Sequence, residues 1–359
     1  MSYIQERLLS KTETIYKTEI KNLPLNKSPF CILGNGKTSR DLQQVIYQDT
    51  DLYPHMKGGV LQYKEEIENT GSCVYPLLGT LEDMQHIANK HNITQVIITT
   101  DGEDYHELLK MTDICSKIGL KVYIASSSLS LVARLVTKDK NSEPIIILPQ
   151  NHRSPVWNFG RRIFDIFASS IAILITSPIW LVSSIAIKLS SPGPVFYKRE
   201  VVGKDNKTFD FYKFRTMYHN NNDSAHQEYV KKLIKGEMDD QETYKIEKDP
   251  RITSIGEVLR RFSLDELPQF LNVLKGDMSV IGPRPCNTDE YEHYKEWHKR
   301  RTQVKPGITG LWQVRARNKI KYDEMVMMDI YYIHNRSFLL DMKIALETIP
   351  VMLFGKGAH

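Results

Sequence analysis

Ile166 to Ile187, IFASSIAILITSPIWLVSSIAI, is 22 residues without a single charge, bounded by Asp165 and Lys188. No other segment constrains the fold as strongly. As a helix it would be about 33 Å long, enough to cross a hydrocarbon core of about 30 Å. A soluble core helix is the bland alternative, but such a run is long for one, and membrane contact is the expectation. Ser177-Pro178 sits in the middle of the run. Proline removes a helical N–H and clashes with the preceding turn, so a break or sharp kink is expected there. Each arm of the membrane helix, 163–189, is then too short to cross alone. Arg161 and Arg162 precede the run, and Lys188, Lys198 and Arg199 follow it. The positive-inside rule keeps both basic ends in the cytosol. A helix that enters one leaflet and returns satisfies length, proline and charge together.

Charge divides the rest of the chain. Over 359 residues, 48 Lys+Arg stand against 43 Asp+Glu. Residues 1–150 hold 16 and 18 of these, and residues 151–359 hold 32 and 25, so the basic excess belongs to the C-terminal part. Three segments are expected: a polar extension over 1–28, an α/β domain over 29–150, and a membrane-associated domain over 151–359. The polar stretch Gln150–Pro155 marks the boundary. The four cysteines are scattered without a C-x-x-C pair, which speaks against a disulfide framework or a zinc site. The first residues carry charges and no apolar stretch, unlike a secretory signal. His293 and His298 show no ligand spacing.

In residues 29–150, Phe30–Leu33 is a short apolar run, with others at Gln95–Thr99, Lys121–Ala125 and Pro144–Leu148. Helical patterns lie between them, at Leu81–His91 and Tyr105–Ile118. The alternation predicts a parallel sheet built from βαβ units. Gly34-x-Gly36-x-x-Ser39 after the first run approaches the dinucleotide fingerprint. A serine replaces the third glycine, and no acidic residue ends a clear second strand. A tight strand-to-helix turn is the simpler reading, and no nicotinamide cofactor is assigned.

The chemistry gathers after residue 190. Ser263-Leu-Asp265-Glu266-Leu-Pro268-Gln269 sets two adjacent carboxylates just before the apolar helical pattern Phe270–Leu274. Pro268 belongs in a first turn, so the pair should lie at a helix N-terminus, where the helix dipole favours ionised carboxylates and phosphates. An ionised Asp265 can act as a nucleophile, and Glu266 can hold a divalent ion or take a proton. Ser263-x-x-Glu266 also fits a capping box, and on these seven residues alone the cap is favoured. Neighbouring cations shift that balance. Arg260 and Arg261 precede the pair, and Pro283-Arg284-Pro285 presents a rigidly held guanidinium suited to phosphate. In Lys213-Phe-Arg215, cations alternate with an apolar residue as on a strand with one charged face. Lys213, Arg215, Arg260, Arg261 and Arg284 around one carboxylate pair point to a diphosphate site. Nucleic-acid binding would need a basic groove interleaved with aromatics, and none is present.

Taken in order, the motifs extend over about 200 residues. They are Arg161-Arg-Ile-Phe-Asp165, Ser191-Pro-Gly-Pro-Val-Phe-Tyr-Lys-Arg-Glu200, Lys213-Phe-Arg-Thr-Met217 and Asp249-Pro-Arg251, then Leu259 through Gln269. Asn272 through Ser279, Gly282-Pro-Arg-Pro285, Lys305 through Gln313 and Asp329 complete the set. In these stretches residues 157–355 resemble the bacterial sugar transferase family, the monotopic polyprenyl-phosphate phosphoglycosyl transferases. Residues 29–150 are similar to the Rossmann-like domain of the larger members. Their N-terminal four-helix membrane bundle has no counterpart in this sequence. The resemblance implies an α/β fold: a Rossmann-like parallel-sheet domain followed by a mainly helical, monotopic membrane domain with a re-entrant helix broken at Ser177 and Pro178.

The resemblance also implies a reaction. Asp265 stands at the nucleophile position and would attack a UDP-sugar, releasing UMP; undecaprenyl phosphate would then take the sugar phosphate. Glu266 matches the second carboxylate, and Asp265 with Glu266 would hold Mg²⁺. Arg284, with Lys213, Arg215, Arg260, Arg261 and Gln269, would bind substrate phosphates. The expected place is the cytosolic face of the inner membrane, with a homodimer allowed. Two positions depart from the family pattern: Arg315-Ala-Arg317, which points to sugar or uridine recognition, and Arg336 before Ser337, which points to membrane-surface packing. Rival readings are a nucleotide-sugar oxidoreductase using the N-terminal domain and a membrane scaffold with an inactive transferase domain. Phe338–Phe354 fits a core helix or an interfacial helix equally.

Overall fold

A computed structural model of the chain describes residues 25, 28–63, 76–102, 104–137, 145–149, 154–218, 228–229, 231–232, 234, 251–316 and 320–354. Most of the polar extension 1–28, the boundary residues 150–153, Asp249 and Arg317 lie outside them. The chain forms two compact units, Met1–Gln150 and Asn151–His359.

Unit 1 is built on a six-stranded sheet: β1 (Phe30–Leu33), β2 (Met56–Leu61), β3 (Leu77–Thr80), β4 (Gln95–Thr100), β5 (Lys121–Ser126) and β6 (Ile145–Ile147). The order is β3-β2-β1-β4-β5-β6. The first five strands run parallel, and β6 pairs antiparallel to β5 at the edge. Helices α1 (Lys37–Tyr47), α2 (Met84–His91), α3 (Tyr105–Lys117) and α4 (Ser130–Thr137) alternate with the strands. Strand interiors are apolar without alternation, as both faces of a parallel sheet demand. Phe30, Ile32, Ile97 and Tyr123 are fully buried together with Leu42 and Ile46 of α1. The strands at Met56–Leu61 and Leu77–Thr80 are not apparent in the sequence, because Gly58-Gly59 breaks the first and the second is only four residues long.

The turn after β1 explains the partial dinucleotide fingerprint. In open α/β sheets of this order, ligands bind where the strand order reverses, here between β1 and β4. A phosphate would sit on the N-terminus of α1. That seat is filled by the carboxylate of Asp101, one residue beyond β4: the Lys37 N–H donates to Oδ2, and the Thr38 N–H donates to Oδ1 at 2.8 Å. A Cβ on Gly36 would come within 2.0 Å of Asp101 Oδ2, so this glycine admits the protein's own carboxylate. Burial works to raise the Asp101 pKa. The Thr38 side chain and the two N–H groups outweigh it and hold the pKa below the ordinary aspartate value. Beyond the end of β2, Gln62 Nε2 and the Tyr63 hydroxyl both donate to Glu107 Oε1, each at 2.8 Å.

Unit 2 opens with α5 (Pro155–Ser190), capped by Ser154, whose Oγ accepts from the Trp157 N–H at 3.3 Å. Of the break or sharp kink expected at Ser177-Pro178, no break appears: α5 is one helix of 36 residues with Pro178 inside. The local reason is visible. Proline leaves the Leu174 carbonyl without its i+4 donor, and the Ser177 hydroxyl donates to that carbonyl at 2.8 Å. Thr176 likewise donates to the Ala172 carbonyl at 2.6 Å, and such back-bonding bends helices.

The contacts of α5 require it to bend. After β7 (Phe196–Val202), β8 (Thr208–Phe214) and α6 (Ser254–Arg261) comes a short helix, α7 (Gln269–Lys275). Near its start α5 bonds to the end of α7, with Arg162 donating to the Val273 and Leu274 carbonyls at 2.5 and 2.7 Å. Near its end Ile187 packs with Leu267, just before α7. Along a straight helix Arg162 and Ile187 would stand about 37 Å apart, whereas Leu267 and Val273 are separated by only about 10 Å. The helix therefore bends, and Pro178 lies between its two anchored arms. Only 11% of its most apolar 18-residue window is buried, with Leu174 and Ile175 at 75% and 71% exposure.

The remaining elements are β9 (Ser279–Ile281), β10 (Cys286–Asn287), α8 (Thr288–Glu292), β11 (Gly307–Thr309), α9 (Leu311–Arg315), α10 (Tyr322–Asn335) and α11 (Phe338–Phe354). The strands form two small sheets, β10-β7-β8 and β11-β9. Helix α11 combines the two readings of its sequence: Asp341 and Ile344 are buried, while Phe338, Leu339, Leu346 and Ile349 are exposed.

Candidate active site

Asp265 and Glu266 lie on a 3-10 turn, Leu264–Glu266, that leads into α7. Ser263 in front of them adopts the left-handed conformation, φ 54°, which reverses the chain after α6. Its side chain caps nothing and Pro268 is the N-cap of α7, so the capping box favoured on sequence does not form. Leu264, Leu267 and Phe270 recur every third residue and pack with Ile187, Phe214 and Leu259. That apolar row anchors the turn and leaves the intervening carboxylates for other work. Asp265 is 7% exposed and Glu266 half-buried.

The cation comes from the facing strand. In the β7–β8 hairpin Lys213 lies opposite Tyr197. Its Nζ donates to Glu266 Oε1 at 2.7 Å and stands 3.6 Å from Asp265 Oδ2. Behind it the chain continues to Thr216, against which α6 packs so closely that a Cβ on Gly256 would fall 2.0 Å from the Thr216 carbonyl oxygen. Arg260 reaches back along the same contact, its Nε donating to Thr216 Oγ1 at 3.0 Å. Arg261 is exposed, with its guanidinium over the Phe262 ring at 5.7 Å.

The other residues grouped here by sequence are placed differently. Arg215 is buried and donates to the carbonyls of Ser191 at 2.7 Å, Pro192 at 2.8 Å and Ile187 at 3.4 Å, and to Ser191 Oγ at 3.1 Å. Its charge offsets the C-terminal end of α5; both terminal nitrogens of the guanidinium are engaged by protein oxygens. Gln269 is 2% exposed, in the interior of the turn. Arg284 lines a small pocket with Gly203, Cys286, Arg301 and Thr302. Arg301 is itself held by an ion pair with Asp329 and by hydrogen bonds to the Tyr294 and Tyr322 hydroxyls at 3.0 and 3.4 Å. Burial opposes its charge, and Tyr294 and Asp329 outweigh that and raise its pKa above the ordinary arginine value.

Two departures from the family pattern also find their places. Arg315 Nε and Nη2 bond to the two carboxylate oxygens of Glu347 at 2.9 and 3.0 Å, a bidentate pair tying α9 to α11 rather than an open recognition group. Arg336 Nε donates to the Ile333 carbonyl at 3.2 Å. His298 is fully buried against Asp323, 2.9 Å away, and Trp297 and Trp312 are core residues.

Sequence reasoning missed the interior braces. Arg161 joins α5 to the Ser279 hydroxyl, the Ile281 carbonyl and Asp341, while Asp165 accepts from Ser279 Oγ and the Val280 N–H, both at 2.9 Å. Asn272, fully buried in α7, links the helix to β8. A polar residue inside the apolar run Phe270–Leu274 is the signal that could have found it.

No group of three or more His, Cys, Asp or Glu able to hold a metal occurs among the described residues. The donor set here is two adjacent carboxylates. That suits a hard cation that keeps most of its ligands from substrate phosphates and water, as Mg²⁺ does.

Unit 2 is a sugar-transferase module: the family described as bacterial sugar transferase matches residues 156–355, and the chain belongs to it. Among similar proteins, the exopolysaccharide production protein ExoY of Sinorhizobium fredii is 38% identical over 205 residues, covering 57% of this chain and 90% of that protein. The undecaprenyl-phosphate galactose phosphotransferase of Salmonella typhimurium is 40% identical over 205 residues, 56% of this chain and 42% of that protein. The UDP-glucose:undecaprenyl-phosphate glucose-1-phosphate transferase of Escherichia coli is 35% identical over 230 residues, 62% and 46% of the two chains. The chain thus spans most of the first relative and under half the length of the other two.

Proposed function

We propose that the protein is a phosphoglycosyl transferase that moves a sugar-1-phosphate from a UDP-sugar to undecaprenyl phosphate, an early step in exopolysaccharide, capsule or O-antigen type assembly. The observation that carries this reading is the Lys213–Asp265–Glu266 constellation, set on a turn that packs against an exposed, bent apolar helix. The names of the relatives in Salmonella typhimurium and Escherichia coli support the acceptor and the class of donor.

Asp265 is the nucleophile. A carboxylate oxygen attacks the β-phosphorus of the donor, and the bond to the bridging oxygen breaks. UMP departs with the electron pair, leaving a phosphosugar-aspartate. A phosphate oxygen of the lipid then attacks the same phosphorus, and the Asp265 carboxylate leaves intact. Lys213 offsets one of the two carboxylate charges before substrate arrives and can turn to the developing phosphate charge. Arg284, with Arg260 and Arg261, binds diphosphate oxygens. Mg²⁺, held by Asp265 and Glu266, would supply neutralisation of the donor diphosphate. A bent apolar helix with basic flanks supports a reaction on the cytosolic face of the inner membrane, where a soluble donor and a lipid acceptor can meet. The test is UMP release from a panel of UDP-sugars with undecaprenyl phosphate and Mg²⁺ in detergent. Asp265→Ala is expected to abolish release. Wild-type silence across the panel defeats the enzyme reading, and activity in the variant defeats the nucleophile assignment.

A further inference from the structure

The position of Lys213 depends on where β8 lies relative to the turn that carries the carboxylates. In the sheet β10-β7-β8, β8 is an edge strand, paired on one side only. Its free edge presents the Asp210 carbonyl and the Tyr212 N–H, which in most edge strands face water. Here Asn272 fills that edge: its Oδ1 accepts from the Tyr212 N–H at 3.1 Å, and its Nδ2 donates to the Asp210 carbonyl at 2.6 Å. A carboxamide carries an acceptor and a donor in one plane, so one side chain replaces a neighbouring strand. Asn272 is 0% exposed, six residues beyond Glu266 on the helix that continues the catalytic turn. Tyr212 is the residue immediately before Lys213. Lys275, one turn further along α7, adds a bond from its Nζ to the Tyr212 hydroxyl at 2.9 Å.

We propose that Asn272 is a positioning residue for the transferase reaction. By bonding the free edge of β8 on either side of Phe211, it fixes Lys213 against Asp265 and Glu266. The proposal rests on the transferase reading of this site. Asn272 touches neither substrate nor the carboxylates and acts only through the strand. A displacement of about 1 Å at a reacting centre costs on the order of 100-fold in rate. Asn272→Ala, which frees both strand groups, is therefore expected to lower kcat about 10- to 100-fold with a smaller change in the KM for the UDP-sugar. Asn272→Asp retains the acceptor for Tyr212 but sets a carboxylate oxygen against the Asp210 carbonyl, so its loss should be at least that of Asn272→Ala.

The experiment is a double-mutant cycle on UMP release, read beside a measurement that needs no turnover. If Asn272 works through Lys213, its substitution adds less than about threefold to the loss already caused by Lys213→Met. If the two losses multiply, Asn272 is only a structural residue and the proposal is overturned. In parallel, an amine-reactive probe is followed at Lys213 by mass spectrometry in the full-length protein. Labelling should accelerate several-fold in Asn272→Asp, at a temperature where its unfolding curve shows it folded. Unchanged labelling overturns the proposal as well. Faster labelling with no UMP release by the wild type would retain the positioning geometry and defeat the transferase reading, so the two failures are told apart.

Discussion

Arg215 provides a sharp test of the placement described above, because a phosphate-binding residue and a helix-end clamp fail in opposite ways. At 5% exposure it donates to three main-chain carbonyls and one hydroxyl at the point where α5 returns to the domain. Arg215→Ala removes all four donations. The two shortest, to Ser191 and Pro192, leave carbonyls that a buried cation had satisfied, at about 1–3 kcal/mol each. The expected loss is about 2–5 kcal/mol, after allowing for water reaching the vacated space. For a domain of this size that lowers Tm by roughly 4–20 °C. The assay is intrinsic-tryptophan thermal unfolding of the full-length protein in detergent, run with UMP release below the transition. KM for the UDP-sugar should stay within about threefold of wild type in the fraction that remains folded. Arg215→Lys, which keeps the charge but loses the planar fork, should recover part of the stability. A Tm within 2 °C of wild type together with a tenfold rise in KM would refute the clamp and return Arg215 to the substrate.

Two further outcomes follow from the geometry. Removing Asp101 with Asp101→Ala should destabilise unit 1 by about 0.5–2 kcal/mol, the range for a lost helix N-cap. The Asp101 pKa is lowered by folding, so its contribution is complete above the ordinary value of about 3.9 and is lost as pH falls through the folded pKa. Urea unfolding of the full-length chain should therefore show a shallower acid limb in the variant, and an identical limb would count against the contact. Glu347→Ala, which strips Arg315 of both its oxygens, should cost about 1–3 kcal/mol with no change in UDP-sugar KM. A selective change in KM or in donor preference would instead make Arg315 a recognition residue.

Much of this architecture was legible in the sequence, but for unequal reasons. The sheet of unit 1 announced itself where strands were continuous apolar runs, as at Gln95–Thr100, and vanished where glycine interrupted the pattern, as at Met56–Leu61. Carboxylates at 265 and 266 were identifiable from their proline-bounded setting, and Lys213 from alternation along a strand. Arg215 has the same spacing signature as Lys213 but lies just past the end of β8, where the chain turns inward. Charge patterning reports that a cation exists, not which oxygens reach it first. For helix α5, proline's missing donor predicted a break or sharp kink; the hydroxyl of Ser177 supplies a substitute donor, so the helix stays continuous and bends. Asn272 escaped because its partners are main-chain atoms about 60 positions earlier, which no local pattern encodes.

The carboxylate on α1 alters how the N-terminal unit is to be thought of in competition terms. A ligand built into the chain never diffuses away; a tether of this kind presents its group at an effective concentration of at least millimolar order. Any phosphate from solution must displace Asp101, whose negative charge would then lie close to the newcomer unless it moves aside. In this strand order a phosphate from solution would compete with a carboxylate of the chain itself. The seat is retained, and its occupant is one the chain itself encodes.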